Sequence, residues 1–395
     1  MILRTELEEV ARQWAIRLEI VEKDFAISWI LAGLAQHPRI GPEWIFKGGT
    51  CLKKCYLETY RFSEDLDFSL ATGGSLDVDD LENWVREACE EATAQSGLEL
   101  PAELVEFKRY QNKRGGLSAK GKIGYSGPLG IPTTPKVRID LTGDELIARA
   151  PILREVHHPY SDRPLPPARI HCYPIEEIVA EKTIALSDRG LPRDLYDVVR
   201  LYRFEGIRLQ HSAIVEVIGQ KCSHHGVELP SLELVRRPAR LAELESEWSN
   251  MLGHQLPALP VISDQLAVLE EYFKWLGGEP IIELAPVPEA QVADSTWAPP
   301  PYMSMASEWG LMVPLEIVRF AGANRLCIEL HYLAKEGMRG VREVEPYSFR
   351  MSQQGNLLFY GRNTRRTRIS CYRADRIFDA RPLPKPFNPW WRVEF

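Results

Sequence analysis

The chain has 395 residues, 45% of them apolar and 26% charged, with a formal net charge of −7. This balance is typical of a soluble globular protein, and the length is too great for one ordinary domain. The longest apolar runs fall short of the roughly 20 residues that a membrane helix needs, and the N-terminus lacks the apolar segment of a secretory signal. We therefore expect a cytoplasmic protein with no membrane contact.

Charge is distributed unevenly along the chain. Residues 306–395 contain 15 Lys and Arg against 9 Asp and Glu, a net +6, which leaves −13 for residues 1–305. An acidic body and a basic terminal segment indicate metal or nucleotide chemistry in the first part and polyanion contact in the second. A solvated basic face would give the same count.

Helical and strand periodicities indicate an α+β fold. The first predicted elements are, in chain order, helices within 5–37, a strand at 44–46, a helix at 51–57, a strand at 62–70 and a helix at 79–96. Strands follow from 103 to 142, with a hairpin at 112–125. The later elements are two helices within 174–205, further helix to about 277, and strands at 326–332, 356–360 and 367–372. We predict a core at 1–205, its helical portion at 206–283, a Pro-rich linker at 284–305 and a β domain at 306–395.

The seven cysteines are scattered, and none forms a CxxC pair. They therefore indicate neither a disulfide framework nor a zinc knuckle. We expect reduced thiols, in the core or on the surface.

The first candidate site is the turn Lys47-Gly48-Gly49-Thr50 between a predicted strand and a predicted helix. Two glycines let a ligand approach the backbone, and free N–H groups at a helix start bind phosphate. Thr50 is a candidate for capping that helix or for bonding a phosphate oxygen. The alternative is a tight turn without a ligand.

Acidic residues follow this turn at short range. Asp65 and Asp67 are two apart in a predicted strand and so share one face. Paired carboxylates repel each other unless a cation lies between them, which suits a Mg²⁺ site; a solvated strand edge is the alternative. Asp140 lies in another alternating segment and is a candidate third carboxylate or an ordinary strand-end aspartate.

A helical segment beginning near Pro174 supplies the last candidates. Lys182 falls close to the apolar face, so its ammonium group must reach a cleft or an anion. Asp194 and Asp197 are three apart and share a helix face. The alternative is a buried pair of Lys182 or Arg193 with an aspartate that ties helices together.

Four ordered motifs, FKGGTCLKK, RFSEDLDFSL, EEIVAEKTIAL and RDLYDV, resemble those of the AbiEii-type nucleotidyltransferase toxins, which include the MenT group. The resemblance covers about residues 20–280. It implies a polymerase-β-like nucleotidyltransferase core with a helical C-terminal portion. It further implies a toxin of a toxin–antitoxin or abortive-infection system, with an antitoxin as partner. Characterised members use Mg²⁺ and a nucleoside triphosphate, and some add pyrimidine nucleotides to the 3′ end of tRNA.

This resemblance assigns roles to the candidate residues. The residues that it implies for nucleotide binding are Lys47, Gly48, Gly49, Thr50, Ser63 and Asp194. The residues that it implies for catalysis are Asp65, Asp67, Lys182 and Asp197. Asp65 and Asp67 would bind Mg²⁺ or Mn²⁺, with Asp140 as the candidate third ligand.

Basic residues of the hairpin are candidates for contact with an RNA backbone, or form a solvated surface. They are Lys108, Arg109, Lys113, Arg114, Lys120 and Lys122.

Residues 314–395 resemble a WYL domain, on the segments from Ala323 to Asn363 and from Ile369 to Phe395. The resemblance implies a small SH3-like β-barrel that binds nucleic acid or nucleotide-like ligands. The Trp-Tyr-Leu of the name is absent, and the corresponding strand has the sequence LLFY at 357–360. The candidate anion contacts are Arg342, Arg366, Arg368, Arg373 and Arg376, with Tyr372 for stacking. The alternative is that these arginines only solubilise strand faces.

The sequence thus favours a Mg²⁺-dependent toxin that transfers a nucleoside monophosphate to RNA. Loss of function in Asp65→Ala would test this hypothesis. One alternative is a nucleotidyltransferase fold kept as a scaffold, with a ligand-sensing regulatory domain. Another is a kinase-like phosphoryl transfer to protein, which uses the same metal chemistry.

Overall fold

The computed structural model describes residues 2–112, 115–204, 209–281, 283–290, 315–333 and 339–395. The chain divides into two compact units. The first comprises Met1–Ala11, Ile16–Ile184 and Ser212–Pro230, and the second comprises Arg12–Ala15, Ala185–His211 and Ser231–Phe395. This division differs from the domain boundaries predicted at residues 205, 283 and 305, which stay predictions. Within the described part of the chain, no helix has the length and hydropathy to cross a membrane.

The mixed α+β composition predicted from the sequence is confirmed. The elements up to residue 188 are α1 (Arg4–Trp14), α2 (Leu18–Gln36), α3 (Ile40–Glu43), β1 (Trp44–Lys47), α4 (Gly48–Cys51), β2 (Asp65–Leu70), α5 (Val78–Ser96), β3 (Val105–Gln111), β4 (Leu117–Gly124), β5 (Lys136–Thr142), β6 (Ile152–Glu155), β7 (Arg169–Cys172) and α6 (Ile175–Asp188). The later elements are α7 (Pro192–Arg203), α8 (His211–His225), α9 (Leu232–Val235), α10 (Pro238–Leu252), α11 (Ile262–Leu276), α12 (Leu315–Ala323), β8 (Leu326–Leu333), β9 (Arg339–Met351), β10 (Leu357–Asn363), β11 (Ile369–Arg373) and β12 (Ile377–Pro386).

A seven-stranded sheet forms the centre of the first unit, with the strand order β3-β4-β5-β2-β1-β7-β6. β2 pairs antiparallel with β1 and parallel with β5, and β1 also pairs parallel with β7. α2 is apolar around most of its circumference, and it packs against α5 and the sheet because such a helix must be buried. The strand order places β1, β2 and β5 next to one another in the middle of the sheet, so the predicted site residues on these strands are neighbours.

The chain between β1 and β2 carries the Gly-Gly turn. α4 begins directly after β1, and a π-helical turn at Leu52–Tyr56 continues it. Such turns are rare and occur often at functional sites. The predicted helix at 51–57 is thus confirmed, but it begins three residues earlier, at Gly48.

The second unit contains a five-stranded antiparallel sheet in the order β11-β10-β9-β8-β12, against which α12 packs. The SH3-like barrel is not confirmed, because β11 and β12 lie at opposite edges of this sheet. Its core consists of apolar and aromatic side chains from the strands and the flanking segments. They are Val287, Cys327, Tyr347, Leu358, Tyr360, Ile369, Cys371, Phe387 and Val393.

Part of the predicted linker belongs to this core. Val287 is buried, and its carbonyl accepts a hydrogen bond of 3.1 Å from Arg350 Nη2. The carbonyl of Ala285 accepts one of 2.8 Å from the Arg392 backbone. Residues 284–290 therefore pack on the sheet, and the rest of the predicted linker, 291–305, lies outside the described residues.

Candidate active site

Charged side chains form one row across five strands of the first unit's sheet. The strand register pairs Lys108 with Lys120, Lys120 with Asp140, Asp140 with Asp67, and Asp67 with Lys47. Directly paired residues of neighbouring strands project from the same face of a sheet. The predicted adjacency of Asp140 to the β2 aspartates is therefore confirmed, and lysines lie at both ends of the row.

Burial dominates the electrostatic environment of Asp67. It raises the pKa of Asp67, and the smaller effects of the Asp140 and Asp65 carboxylates act in the same direction. Lys182 and Lys47 lower the pKa of Asp67 but do not overcome the effect of burial. A divalent cation among the three carboxylates would offset the cost of burying their charge, and carboxylate oxygens are the ligands that Mg²⁺ prefers. The donor set therefore fits such an ion.

A tyrosine holds one of the three carboxylates. The Tyr110 hydroxyl donates to Asp140 and lies 2.9 and 3.1 Å from its two oxygens. Burial and the adjacent Asp140 raise the pKa of Tyr110 to about 12, so Tyr110 remains a donor that orients Asp140. Among the described residues, Asp65, Asp67 and Asp140 do not all bring a carboxylate oxygen within 4.8 Å of one another, so they must move closer to share an ion.

Both glycines of the turn are required by their surroundings. Gly48 has φ +81°, and a Cβ there would overlap the carboxylate of Asp67. A Cβ at Gly49 would collide with the guanidinium of Arg61 and lie 3.2 Å from Ser63 Oγ. The turn therefore approaches β2 and the 61–63 segment as closely as a bare backbone allows. This brings the predicted Ser63 to the turn and adds Arg61, a buried residue that the sequence argument did not single out.

The hydroxyl of Thr50 is used inside the fold. It is buried and donates to the backbone carbonyl of Asp65, which ties the start of α4 to the start of β2. The prediction that Thr50 caps the helix is wrong, because Lys47 occupies the N-cap position and offers no side-chain cap. Since its proton is already donated, Thr50 positions the turn and does not donate to a phosphate in this arrangement.

Lys47 belongs to a buried network that sequence reasoning missed. Its Nζ lies 3.2 Å from Glu145 and 3.7 Å from Glu181. Lys221 of α8 contacts the same two carboxylates at 3.3 and 2.9 Å, and Glu177 at 3.0 Å. Burial opposes the charge of both lysines, but the carboxylates outweigh it and raise the pKa of each. The charge of Lys47 is therefore fixed at the end of the row beside Asp67.

The remaining predicted site residues lie on α6 and α7. Lys182 is 9% exposed and close enough to Asp67 to lower its pKa. Asp194 and Asp197 are fully buried and belong to the second unit. Arg189 donates to both oxygens of Asp194, at 2.8 and 2.9 Å. Arg189 and Asp194 thus form an ion pair that joins the end of α6 to α7. The alternative pairing of Lys182 or Arg193 with an aspartate stays a prediction.

The five arginines of the second unit occupy different environments. Arg366 and Arg368 are exposed, whereas Arg373 forms an ion pair with Asp375. Arg376 is fully buried in the turn before β12. Its prediction as a nucleic-acid contact is therefore wrong, because a phosphate contact must reach the surface.

Arg342 lies between two aromatic rings of the same sheet. Its guanidinium carbon is 5.2 Å from the ring centre of Tyr332 and 5.5 Å from that of Tyr372. The two rings are themselves in edge-to-face contact at 5.2 Å. Such a group of a cation and aromatic faces is suited to stacking on a base or holding an anion.

Comparison with known families decides the class of this site. Residues 29–276 match the model described as nucleotidyl transferase AbiEii toxin, Type IV TA system. The chain belongs to the AbiEii nucleotidyltransferase toxin family. The predicted enzyme class and toxin class are thereby confirmed. Residues 315–382 match the WYL domain model, which confirms the second resemblance.

Two solved structures are similar to this AbiEii family member. MenT4, a nucleotidyltransferase toxin from Mycobacterium tuberculosis H37Rv, is 19% identical with a TM-score of 0.48, over 71% of this chain and 91% of that chain. Proteasome accessory factor B/C (PafBC) of Arthrobacter aurescens is 11% identical with a TM-score of 0.17, over 92% and 71%. No curated protein matches the sequence.

Proposed function

We propose that this toxin transfers a nucleoside monophosphate from a nucleoside triphosphate to RNA, at the 3′ end of tRNA, in the cytoplasm and with Mg²⁺. The family supplies the reaction class. The observation that carries the proposal is the placement of Asp67 between the Gly48 turn and the carboxylate of Asp140. Nucleotide binding and metal binding can therefore occur side by side.

Asp65, Asp67 and Asp140 would hold Mg²⁺, or Mn²⁺ in its place. The bound ion would neutralise the triphosphate and lower the pKa of the attacking RNA hydroxyl. The raised pKa of Asp67 supports this assignment, because burial makes its negative charge costly and a bound cation would offset that cost.

The chain's own groups would bind and orient the triphosphate. Arg61 and Ser63 lie against Gly49, where their donor groups would contact phosphate oxygens bound at the turn. Lys47 keeps its charge through the buried network, and Lys182 is the proposed second phosphate contact. These groups favour in-line displacement of pyrophosphate by holding the reactants in place.

The acceptor would lie along the other end of the charged row. Lys108, Lys120 and Lys122 are exposed on the two strands beyond Asp140. Lys120 and Lys108 continue directly from the carboxylates, so an RNA backbone on these lysines would place its end near Asp140 and Asp67. The neighbouring Lys113 and Arg114 lie outside the described residues.

A cognate antitoxin is the proposed protein partner, since the family belongs to toxin–antitoxin systems. The WYL domain would bind a nucleic acid or nucleotide-like ligand at Arg342 and its two tyrosines, with the exposed Arg366 and Arg368 contacting phosphate.

The test is incubation of the full chain with Mg²⁺, total bacterial RNA and each labelled nucleoside triphosphate in turn. We expect label on tRNA-sized RNA, with loss in Asp65→Ala and after removal of Mg²⁺ by a chelator. Growth arrest on expression should disappear with the same substitution. Label on protein would replace the proposal with kinase-like transfer. Nucleotide binding with no labelled product would replace it with a regulatory scaffold.

A further inference from the structure

Three cysteines that are far apart in the sequence meet beside the Gly-Gly turn. Cys51 ends α4, Cys55 lies four residues later in the π-helical turn, and Cys172 ends β7. All three are buried, and their sulfur atoms lie within 4.8 Å of one another. In the part of the chain that the structure describes, no other three His, Cys, Asp or Glu side chains bring their ligand atoms so close.

The local fold explains why these thiols converge. Residues four apart in a helical segment share one face, which places Cys51 and Cys55 together. β1 leads directly into α4, and Phe46 at its end is paired with Cys172 on the neighbouring β7. The helical segment therefore begins beside the end of β7, where Cys172 lies.

The surroundings favour negative charge on sulfur. Hydrogen bonds from the thiols of Cys51 and Cys55, with a smaller effect of the nearby Arg154 guanidinium, lower the pKa of Cys172 to about 4. Arg154 is fixed by a 2.6 Å hydrogen bond to the Cys55 carbonyl and by stacking 4.4 Å from the Tyr56 ring. The Tyr56 hydroxyl lies 3.8 Å from Cys172 Sγ. A cation thus lies beside the three sulfur atoms, where it favours negative charge on them.

We propose that Cys51, Cys55 and Cys172 form a binding site for one Zn²⁺ ion. Zn²⁺ binds thiolate sulfur at about 2.3 Å and takes four ligands, so the three sulfurs would close to roughly 3.8 Å apart, and water or the Tyr56 hydroxyl would take the fourth position. Binding forms three Zn–S bonds, and the protons of the thiols that bind the ion leave to solvent. Three thiolates and Zn²⁺ carry a net −1, which the positive charge of Arg154 balances. This charge balance favours a divalent ion over Cu⁺.

Metal binding would fasten α4 and the π-helical turn to β7. The site is separate from the carboxylates of β2 and β5, and the inference does not depend on the proposed RNA transfer. Any effect of zinc on the enzyme would act through the position of the Gly48 turn, three residues before Cys51.

The experiment uses the full chain, reduced with a phosphine and stripped of metal by a chelator. Titration with Zn²⁺ against a chromophoric chelator should give one ion per chain, with release of protons from the thiols that bind it. Co²⁺ in place of Zn²⁺ should produce near-ultraviolet thiolate-to-cobalt absorption. Zinc should also protect three of the seven cysteines from an alkylating reagent, a readout that needs no variant.

Substitutions locate the ligands. Cys51→Ser, Cys55→Ser and Cys172→Ser should each weaken zinc binding by at least about 100-fold. Cys89→Ser, which removes an equally buried cysteine of α5, should leave it unchanged. Alkylation of all seven cysteines in the presence of Zn²⁺, or stoichiometric binding that survives in Cys172→Ser, would overturn the proposal. A disulfide within the cluster of the isolated protein would also overturn the proposal, if the thiols had no zinc affinity after reduction.

Discussion

Charged side chains are arranged differently in the two sheets of this toxin. In the seven-stranded sheet, Asp67 and Asp140 are directly paired on neighbouring strands, so two carboxylates lie side by side. In the five-stranded sheet, acidic neighbours pair with Arg373 and with Arg362, which contacts Glu345. Charge balanced by its neighbours is explained by folding alone. Adjacent like charges cost stability, so they point to a ligand of opposite sign.

The largest contrast is expected when a paired cation is removed from each unit. Lys221→Met leaves Glu145, Glu177 and Glu181 with a buried charge uncompensated, and should lower the free energy of unfolding by about 3–5 kcal/mol. Arg373→Met breaks a partly exposed pair and should cost about 0–1 kcal/mol. Denaturant unfolding of both variants measures the difference. Equal losses would show that burial does not set the contribution of these ion pairs to stability.

The Gly-Gly turn gives the next effect. Gly48→Ala should lower the transfer rate by about 100-fold, because the new methyl group must displace the Asp67 carboxylate. Gly73→Ala is the matched control, since Gly73 also has a positive φ, +89°, but nothing lies within 4 Å of the added Cβ. It should cost about 1–2 kcal/mol of stability and leave the rate near that of the native chain. Similar rates for the two variants would argue that the close approach at Gly48 has no catalytic role.

A smaller effect is expected at Tyr110. Tyr110→Phe removes the donor that orients Asp140, and the apparent Mg²⁺ affinity should weaken by about 10-fold. Tyr202→Phe, in the second unit, should leave the affinity unchanged. The measurement is transfer rate against Mg²⁺ concentration. An unchanged Mg²⁺ dependence in Tyr110→Phe would remove Asp140 from the proposed metal site.

The smallest effect concerns the exposed arginines of the WYL domain. Arg368→Met should reduce the salt dependence of nucleic-acid binding by about one unit of slope in a double-logarithmic plot. Binding of a labelled RNA or DNA over a series of salt concentrations provides the slope. If the slope does not change, the arginine serves only to solubilise the segment before β11.

Local periodicity predicted the parts of the site that are close in sequence. The alternation around Asp65 and Asp67 correctly placed both on one face of a strand, and the apolar run at 44–46 became β1. These predictions succeed because side-chain direction in a strand depends only on the residue's parity. The four-motif resemblance supplied the family, and the family match confirmed it.

Contacts between distant segments could not be predicted in the same way. Lys221 contacts Glu145, which lies 76 residues earlier in the chain, and Cys172 lies beside Cys55, 117 residues earlier. Neither contact produces a periodic pattern in the sequence. The error at Arg376 has a related cause, since the sequence shows its charge but not that the turn before β12 buries it. Burial is a property of packing between elements, and strand alternation alone does not determine it.

The central claim is that the carboxylates of β2 and β5 form the catalytic centre, and Asp67→Asn tests it most directly. The substitution preserves shape while removing one negative charge, and Asp79→Asn does the same at an exposed position in the first turn of α5. We predict that Asp67→Asn lowers transfer of label from nucleoside triphosphate to RNA by at least about 100-fold, with an unchanged Tm, while Asp79→Asn keeps the native rate. Full activity in Asp67→Asn would contradict the account.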